Sequence, residues 1–133
     1  APFVKPGATI ILESTSPVGT TEKIAAELAV LRPDLRLPEY QTTGEGADVH
    51  LAHCPERILP GRMMHELVSN DRIIGGMTDA CAARAEALYS SFVAGEAFIT
   101  DCRTAEFVKL IENSFRDVNI AFANELSAVC DEL

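Results

Sequence analysis

The sequence predicts an α/β fold: the later half of a larger parallel sheet, followed by the beginning of one long helix. Three observations carry this expectation. Short apolar runs rich in β-branched residues alternate with helical patterns over the first three-quarters of the chain. From Thr104 onward, Phe107, Ile111, Phe115, Val118, Phe122, Leu126, Val129 and Leu133 recur at three- and four-residue steps. Such steps keep one helical face apolar over about eight turns. Finally, the 133 residues are 47% hydrophobic and 23% charged, a globular composition long enough to bury one core.

Each element has its own signal. Ala8-Thr-Ile-Ile-Leu-Glu13 follows Pro6-Gly7 and reads as a strand buried on both faces of a parallel sheet. A polar turn, Ser14 to Gly19, leads to a helix capped by Thr20 or Thr21 and running to about Leu31. Arg32 to Asp48, with two prolines, Gly44 and Gly46, reads as an exposed, mobile loop. Val49 to His53 is a second strand, and Cys54 to Arg62, with Pro55, Pro60 and Gly61, must be irregular. Met63 to Asn70 reads as a short helix, Arg72 to Gly76 as a third strand, and Thr78-Asp79 opens a helix to about Phe92. Ala97 to Thr100 is a fourth, brief strand before the long helix. That last helix far exceeds the usual ~10–14 residues, so it needs a partner on its flank, either another domain or a second subunit.

Charge and composition exclude several function classes. Eleven basic against twenty acidic residues leave a formal net charge of −9 and a pI near 4.7, which argues against nucleic acid. No apolar stretch approaches the ~20 residues of a membrane span. The four cysteines, Cys54, Cys81, Cys102 and Cys130, are widely spaced and form no CxxC pair, the pattern of reduced thiols in a cytoplasm. Three structural thiols, buried or half-buried, and one incidental thiol are expected. The chain opens without Met and stops at Asp131-Glu132-Leu133 inside a helical pattern, so it reads as an excised segment of a longer protein.

Three stretches are candidates for chemistry, each with a plainer reading beside it. Glu13-Ser-Thr-Ser-Pro-Val-Gly19 follows a strand, where the carboxyl end of an open sheet faces its ligand crevice. Its hydroxyls suit a cofactor, or the segment is an ordinary capped turn. In Cys54-Pro-Glu-Arg-Ile-Leu-Pro-Gly61, Glu56 suits a general base and Arg57 a bidentate contact to phosphate or carboxylate. The alternative is a surface pair in a proline-bounded loop. Lys109 and Asn113 lie one helical turn apart and Arg116 extends their stripe, with Asn124 further along. They either stabilise a developing oxyanion or form the solvated back of an amphipathic helix. His50 and His53 point to opposite faces of a strand, which disfavours joint metal ligation, so no metal is expected. Gly75-Gly76 reads as a strand-end turn, and no GxGxxG or GxxxxGK[ST] motif occurs.

Four signatures together resemble the NAD-dependent nucleotide-sugar 6-dehydrogenases, whose best-known members oxidise UDP-glucose. They are Glu13-Ser-Thr-Ser-Pro-Val-Gly-Thr20, Cys54-Pro-Glu-Arg-Ile-Leu-Pro-Gly61, Asp71-Arg-Ile-Ile-Gly-Gly76 and the long Thr104–Glu125 stretch. UDP-glucose and GDP-mannose enzymes typically read Pro-Glu-Phe-Leu with an acidic residue two positions on. The present loop instead resembles the branch acting on UDP-N-acetyl-D-mannosamine, with Pro60 where the second glutamate would stand.

The resemblance implies that residues 1–102 are the C-terminal half of an NAD-binding, Rossmann-like domain and 103–133 the start of a central dimerisation helix. It implies a cytoplasmic homodimer that oxidises C6 of a UDP-sugar to the uronic acid by two hydride transfers, for surface-polysaccharide synthesis. In such enzymes a cysteine holds the aldehyde, which passes through a thioester to hydrolysis. Neither that cysteine nor the glycine-rich NAD motif is matched here, so the segment alone is expected to be inactive. Carried onto this chain, Thr15 with Ser14 and Ser16 touches NAD; Glu56 is a base for water; Arg57, Ile58 and Arg116 bind substrate. Lys109 and Asn113 serve both the C6 chemistry and the substrate. Within the same class, UDP-N-acetylglucosamine or UDP-glucose is the alternative substrate. A non-catalytic helical assembly module is the alternative from another class.

Overall fold

The computed structural model describes residues 1–58 and 61–133. Leu59 and Pro60, and with Pro60 the expected departure at a second glutamate, lie outside the described residues. The elements run β1 (Thr9–Leu12), α1 (Thr20–Leu31), β2 (His50–His53), α2 (Met63–Ser69), β3 (Arg72–Gly76), α3 (Asp79–Tyr89), β4 (Ala97–Asp101) and α4 (Cys102–Glu132). Every strand and helix expected from the sequence is present.

The four strands lie in the order β1-β2-β3-β4. β1 pairs parallel to β2, and β3 parallel to β4, but β2 and β3 are antiparallel, with Ala52 opposite Gly76 and His53 opposite Gly75. The sheet is thus mostly parallel, as expected, with one antiparallel seam that the sequence did not indicate. A parallel neighbour needs a crossover packed on the sheet face. The β2–β3 connection offers only α2, which buries none of its residues, so the chain turns back. The reversal has a consequence for α4. It leaves a strand antiparallel to β1 and β2, runs back along their direction, and reaches the loops at their carboxyl ends.

Both faces of β2 are covered. Leu51 and Val49 pack with Ala25 of α1 and Cys102 of α4, while Ala52 packs with Ile74, Ala85 and Tyr89 on the α3 side. β1 is only half-buried along its length, so the two-sided burial expected for it belongs to β2. Gly75 and Gly76 are strand residues, which corrects the strand-end turn. A Cβ at Gly75 would lie 2.6 Å from that of Ala105, and one at Gly76 2.5 Å from the amide nitrogen of Ala82. Glycine there lets α4 and α3 seat directly on β3.

Residues 32–48 form neither helix nor strand, and much of the segment is exposed as expected, but it is anchored at several points. Leu35 is buried, and Leu37 and Tyr40 pack against the core. The Tyr40 hydroxyl donates to Asp101 at 2.9 Å, and Arg36 pairs with Asp48. Prolines and glycines shaped the segment; its interspersed apolar residues decided that it would be pinned.

His53 is fully buried and neither ring nitrogen has a hydrogen-bond partner. Burial pushes its pKa below the ordinary 6.5, against the attraction of nearby Glu106, and burial lowers His50 in the same direction. Between its folded and ordinary pKa the unfolded chain binds the extra proton. Stability is therefore full above pH 6.5 and falls as pH drops below it, by at most ~1.4 kcal/mol per pH unit for one proton. Thermal unfolding between pH 5 and 7.5 should show Tm falling on the acid side. His53→Leu should flatten that fall, leaving the part due to His50; an unchanged slope would assign it elsewhere.

Candidate active site

The turn after β1 is built by its own hydroxyls. Ser16 is buried and its hydroxyl donates to the Ser14 carbonyl at 2.9 Å, so Ser16 shapes the turn and faces inward. Ser14 and Thr15 stay exposed. Glu13 accepts from the buried Tyr89 hydroxyl at 2.6 Å, and its carbonyl accepts from the Glu56 amide at 3.1 Å. These two bonds join the β1 turn to α3 and to the loop after β2.

Capping of α1 differs from expectation. Thr20 is the first helical residue and Thr21 lies within the helix; the cap is Gly19, in the left-handed region at φ 92°, and it offers no side chain. The acceptor comes from the far end of the sequence. Glu106 of α4, fully buried, takes the Gly19 amide at 2.6 Å, the Thr21 amide at 2.8 Å and the Thr21 hydroxyl at 2.7 Å. A carboxylate over a helix N-terminus satisfies orphan donors and opposes the positive end of the dipole.

Further along α4 the same face meets the loops. The Lys109 ammonium donates to the Glu56 carbonyl at 2.5 Å, and the Asn113 amide lies 3.5 Å from the Thr15 hydroxyl. Glu13, Ser14, Thr15, Glu56, Lys109 and Asn113 line a cavity of about 470 Å³. A second cavity, of about 650 Å³, is lined by Arg57, Ile58, Lys109, Glu112, Phe115 and Arg116 among others. Lys109 belongs to both walls, so its side chain stands between the two cavities. The Glu56 carboxylate accepts from the Ile58 amide of its own loop through one oxygen.

Residues separated by more than fifty positions thus converge. Ser14, Thr15, Glu56, Lys109 and Asn113 share one cavity; Arg57, Ile58 and Arg116 share the adjoining one; Asn124 is exposed and lines neither. Sequence reasoning missed two carboxylates. One is Glu106, three residues before Lys109. The other is Glu112, which pairs with Arg57 at 2.7 Å and so supplies that guanidinium with a counter-ion inside the cavity. Helical spacing alone could have found them, since positions three apart share a face with Lys109.

Of the four thiols, Cys54, Cys81 and Cys102 are buried and Cys130 is exposed, which assigns the three structural thiols and the one incidental thiol; all four are free. Burial pushes Cys54 up and Cys102 up to about 12, which suppresses the thiolate a nucleophile requires. Among the described residues no group of three or more His, Cys, Asp or Glu is placed to hold a metal ion. No described helix is long and apolar enough to cross a membrane.

The outer face of α4 is uncovered. Phe107, Ile111, Phe115, Val118, Phe122, Leu126 and Val129 are all about half to two-thirds exposed, whereas Lys109 and Asn113 are half-buried. Within this chain, Lys109 and Asn113 of the polar stripe pack on the loops, whereas Arg116 and Asn124 further along it are exposed like the apolar stripe.

Comparison with known proteins fits this geometry. Residues 1–93 match the NAD-binding domain of the UDP-glucose/GDP-mannose dehydrogenase family, and residues 103–133 match that family's central domain. The chain is 64% identical over 132 residues to the UDP-N-acetyl-D-mannosamine dehydrogenase of Salmonella typhi, covering 99% of this chain and 31% of that protein. It is 59% identical to the NDP-N-acetyl-D-galactosaminuronic acid dehydrogenase of Ralstonia nicotianae, covering 100% of this chain and 31% of that one. The fold resembles the UDP-D-ManNAc dehydrogenase structure from Pyrococcus horikoshii, with a TM-score of 0.81 and 54% identity over 92% of this chain and 27% of that one. The chain therefore spans just under a third of the length of its curated relatives. NAD is the cofactor that the domain match brings, and the exposed Ser14 and Thr15 hydroxyls at the carboxyl end of a strand fit it, that being where an open α/β sheet binds nucleotides.

Proposed function

Because the chain belongs to the UDP-glucose/GDP-mannose dehydrogenase family, we propose that it is part of an NAD-dependent enzyme oxidising C6 of UDP-N-acetyl-D-mannosamine to the uronic acid. The observation that carries this reading is Lys109 between two cavities, one lined by Ser14 and Thr15 together with Glu13, Glu56 and Asn113, the other by Arg57 and Arg116 among apolar residues. Bound NAD supplies a hydride acceptor on the hydroxyl side. The sugar nucleotide occupies the arginine side, and its C6 meets Lys109 between the two cavities.

Each residue then has a task. Thr15, with Ser14, holds NAD, while Ser16 keeps the turn in shape. Lys109 offers positive charge to the alkoxide that forms as the C6 hydroxyl loses its proton and before C6 gives up its hydride, and Asn113, one turn away, orients the oxygen or a water. An ammonium fixed beforehand by the Glu56 carbonyl needs little reorganisation to do this. Glu56 positions water for the final hydrolysis, with its carboxylate as the base. Arg57 and Arg116 face the phosphates, and Ile58 lines the sugar pocket. Arg57 enters this task already paired with Glu112, so Arg116 and groups elsewhere in the full-length protein carry more of the phosphate charge. The enzyme works in the cytoplasm as a homodimer joined through α4, making precursors for surface polysaccharide.

The test is a substrate panel on the full-length protein. UDP-N-acetyl-D-mannosamine is expected to be preferred, with two NADH formed per uronic acid. Preference for UDP-glucose, UDP-N-acetylglucosamine or a galactosamine nucleotide would replace the sugar assigned here, and one NADH per sugar would refute the double oxidation. The galactosamine arm is included because of the 59% identity to the Ralstonia relative.

A further inference from the structure

We propose that Glu106 is a positioning residue for the oxidation step: its two-oxygen clasp on the start of α1 sets the rotation and height of α4, and so places Lys109 against the cofactor loop. This rests on the reading of Lys109 as the alkoxide partner. One oxygen takes the Gly19 amide and the other takes the Thr21 amide and hydroxyl. Two separate anchor points stop α4 from both sliding and turning, which a single bond would not.

Geometry relays the constraint. Positions 106, 109 and 113 follow one stripe of a helix, spanning about 10 Å of rise. Along it Glu106 holds the end of the β1 turn, Lys109 the loop after β2, and Asn113 the middle of the β1 turn at Thr15. The first contact is fully buried, the second half-buried and the third at the surface, so rigidity declines outward from Glu106. Beside it, Ala105 seats on Gly75 with no room for a Cβ, which fixes the depth of the helix but not its rotation. Rotation is shared between the buried clasp and the bidentate Arg103–Glu22 pair, which also ties α4 to α1 but at the exposed surface, where an ion pair holds less firmly. Because effective catalysis tolerates misplacement of well under 1 Å, a small turn of α4 at Glu106 would be felt at Lys109.

The experiment is a double-mutant cycle in the full-length enzyme. Glu106→Gln keeps the shape but turns one acceptor into a donor facing a backbone N–H. It is expected to lower kcat about tenfold while the KM for NAD changes less than about threefold. In a Lys109→Ala background the same change should cost less than about twofold, because there is no longer an ammonium to misplace. An equal loss in both backgrounds would make Glu106 merely structural and overturn the proposal, as would an unchanged kcat in Glu106→Gln alone. If Glu106→Gln does not fold, Thr21→Val removes only the buried hydroxyl donor. It should lower kcat by about two- to fivefold in the native background and leave the Lys109→Ala enzyme unchanged. Should Lys109→Ala itself keep a near-native kcat, the reading of Lys109 fails, and the positioning role fails with it.

Discussion

Lys109→Ala in the full-length dehydrogenase is expected to lower kcat by about a hundredfold or more, the scale on which loss of one oxyanion partner is felt. The reason is local. The side chain lies in the wall of both cavities and its ammonium is held by a carbonyl at 2.5 Å, so it is oriented before any substrate arrives. Alanine removes the charge and also frees the Glu56 carbonyl, loosening the loop that carries Arg57 and Ile58. Binding of NAD should change little, because Thr15 and Ser14 sit on a turn tied independently to Tyr89 and Glu106. Steady-state kinetics alongside NAD titration separate the two effects. A kcat within a few-fold of native would refute the role of Lys109, whereas weakened NAD binding at unchanged kcat would move the residue to the cofactor side. Lys109→Arg is a useful companion: it keeps the charge, but a planar fork cannot reproduce a compact donor, so only partial rescue is expected.

The reach of sequence reasoning here follows the range of the interactions involved. Alternation of β-branched runs and helical periods is local, and every strand and helix it indicated is present. Strand direction is not local. Whether β3 runs with β2 or against it depends on whether α2 packs on the sheet, and nothing in Met63–Ser69 announces that it buries no residue. Capping shows the same limit. Thr20 and Thr21 are good N-cap residues by type, yet the cap is Gly19, because Glu106 lies 85 residues or more away and no local rule sees it. At the site, spacing brought Lys109, Asn113 and Arg116 onto one stripe but left open whether it faced water or a cavity. The motif resemblance favoured a cavity; in the structure Lys109 and Asn113 are half-buried and Arg116 is exposed. The long apolar stripe was legible in full; among the described residues nothing covers it.

That stripe yields the second large expected effect. Phe122→Asp combined with Val129→Asp in the full-length protein should convert a dimer to a monomer in sedimentation, with association weakened about a thousandfold or more. Both residues are more than half exposed on the outer face of α4, and neither lines the cavities around Lys109. Phe115 is the more obvious choice but borders the substrate cavity, so its loss would confound assembly with catalysis. The magnitude follows from burying a charge in place of an aromatic or aliphatic anchor. Central interface residues cost about 2 kcal/mol or more on truncation, and two such losses of about 4 kcal/mol correspond to roughly three powers of ten. A second copy is the occupant we assign because α4 carries this surface along nearly its whole length of about 46 Å, and a face that long suits a helix of equal length pairing with itself. A double variant that still sediments as a dimer would exclude this face as the subunit interface. In that case another part of the same polypeptide must cover it, since so extended an apolar face is a surface that proteins seldom leave in water.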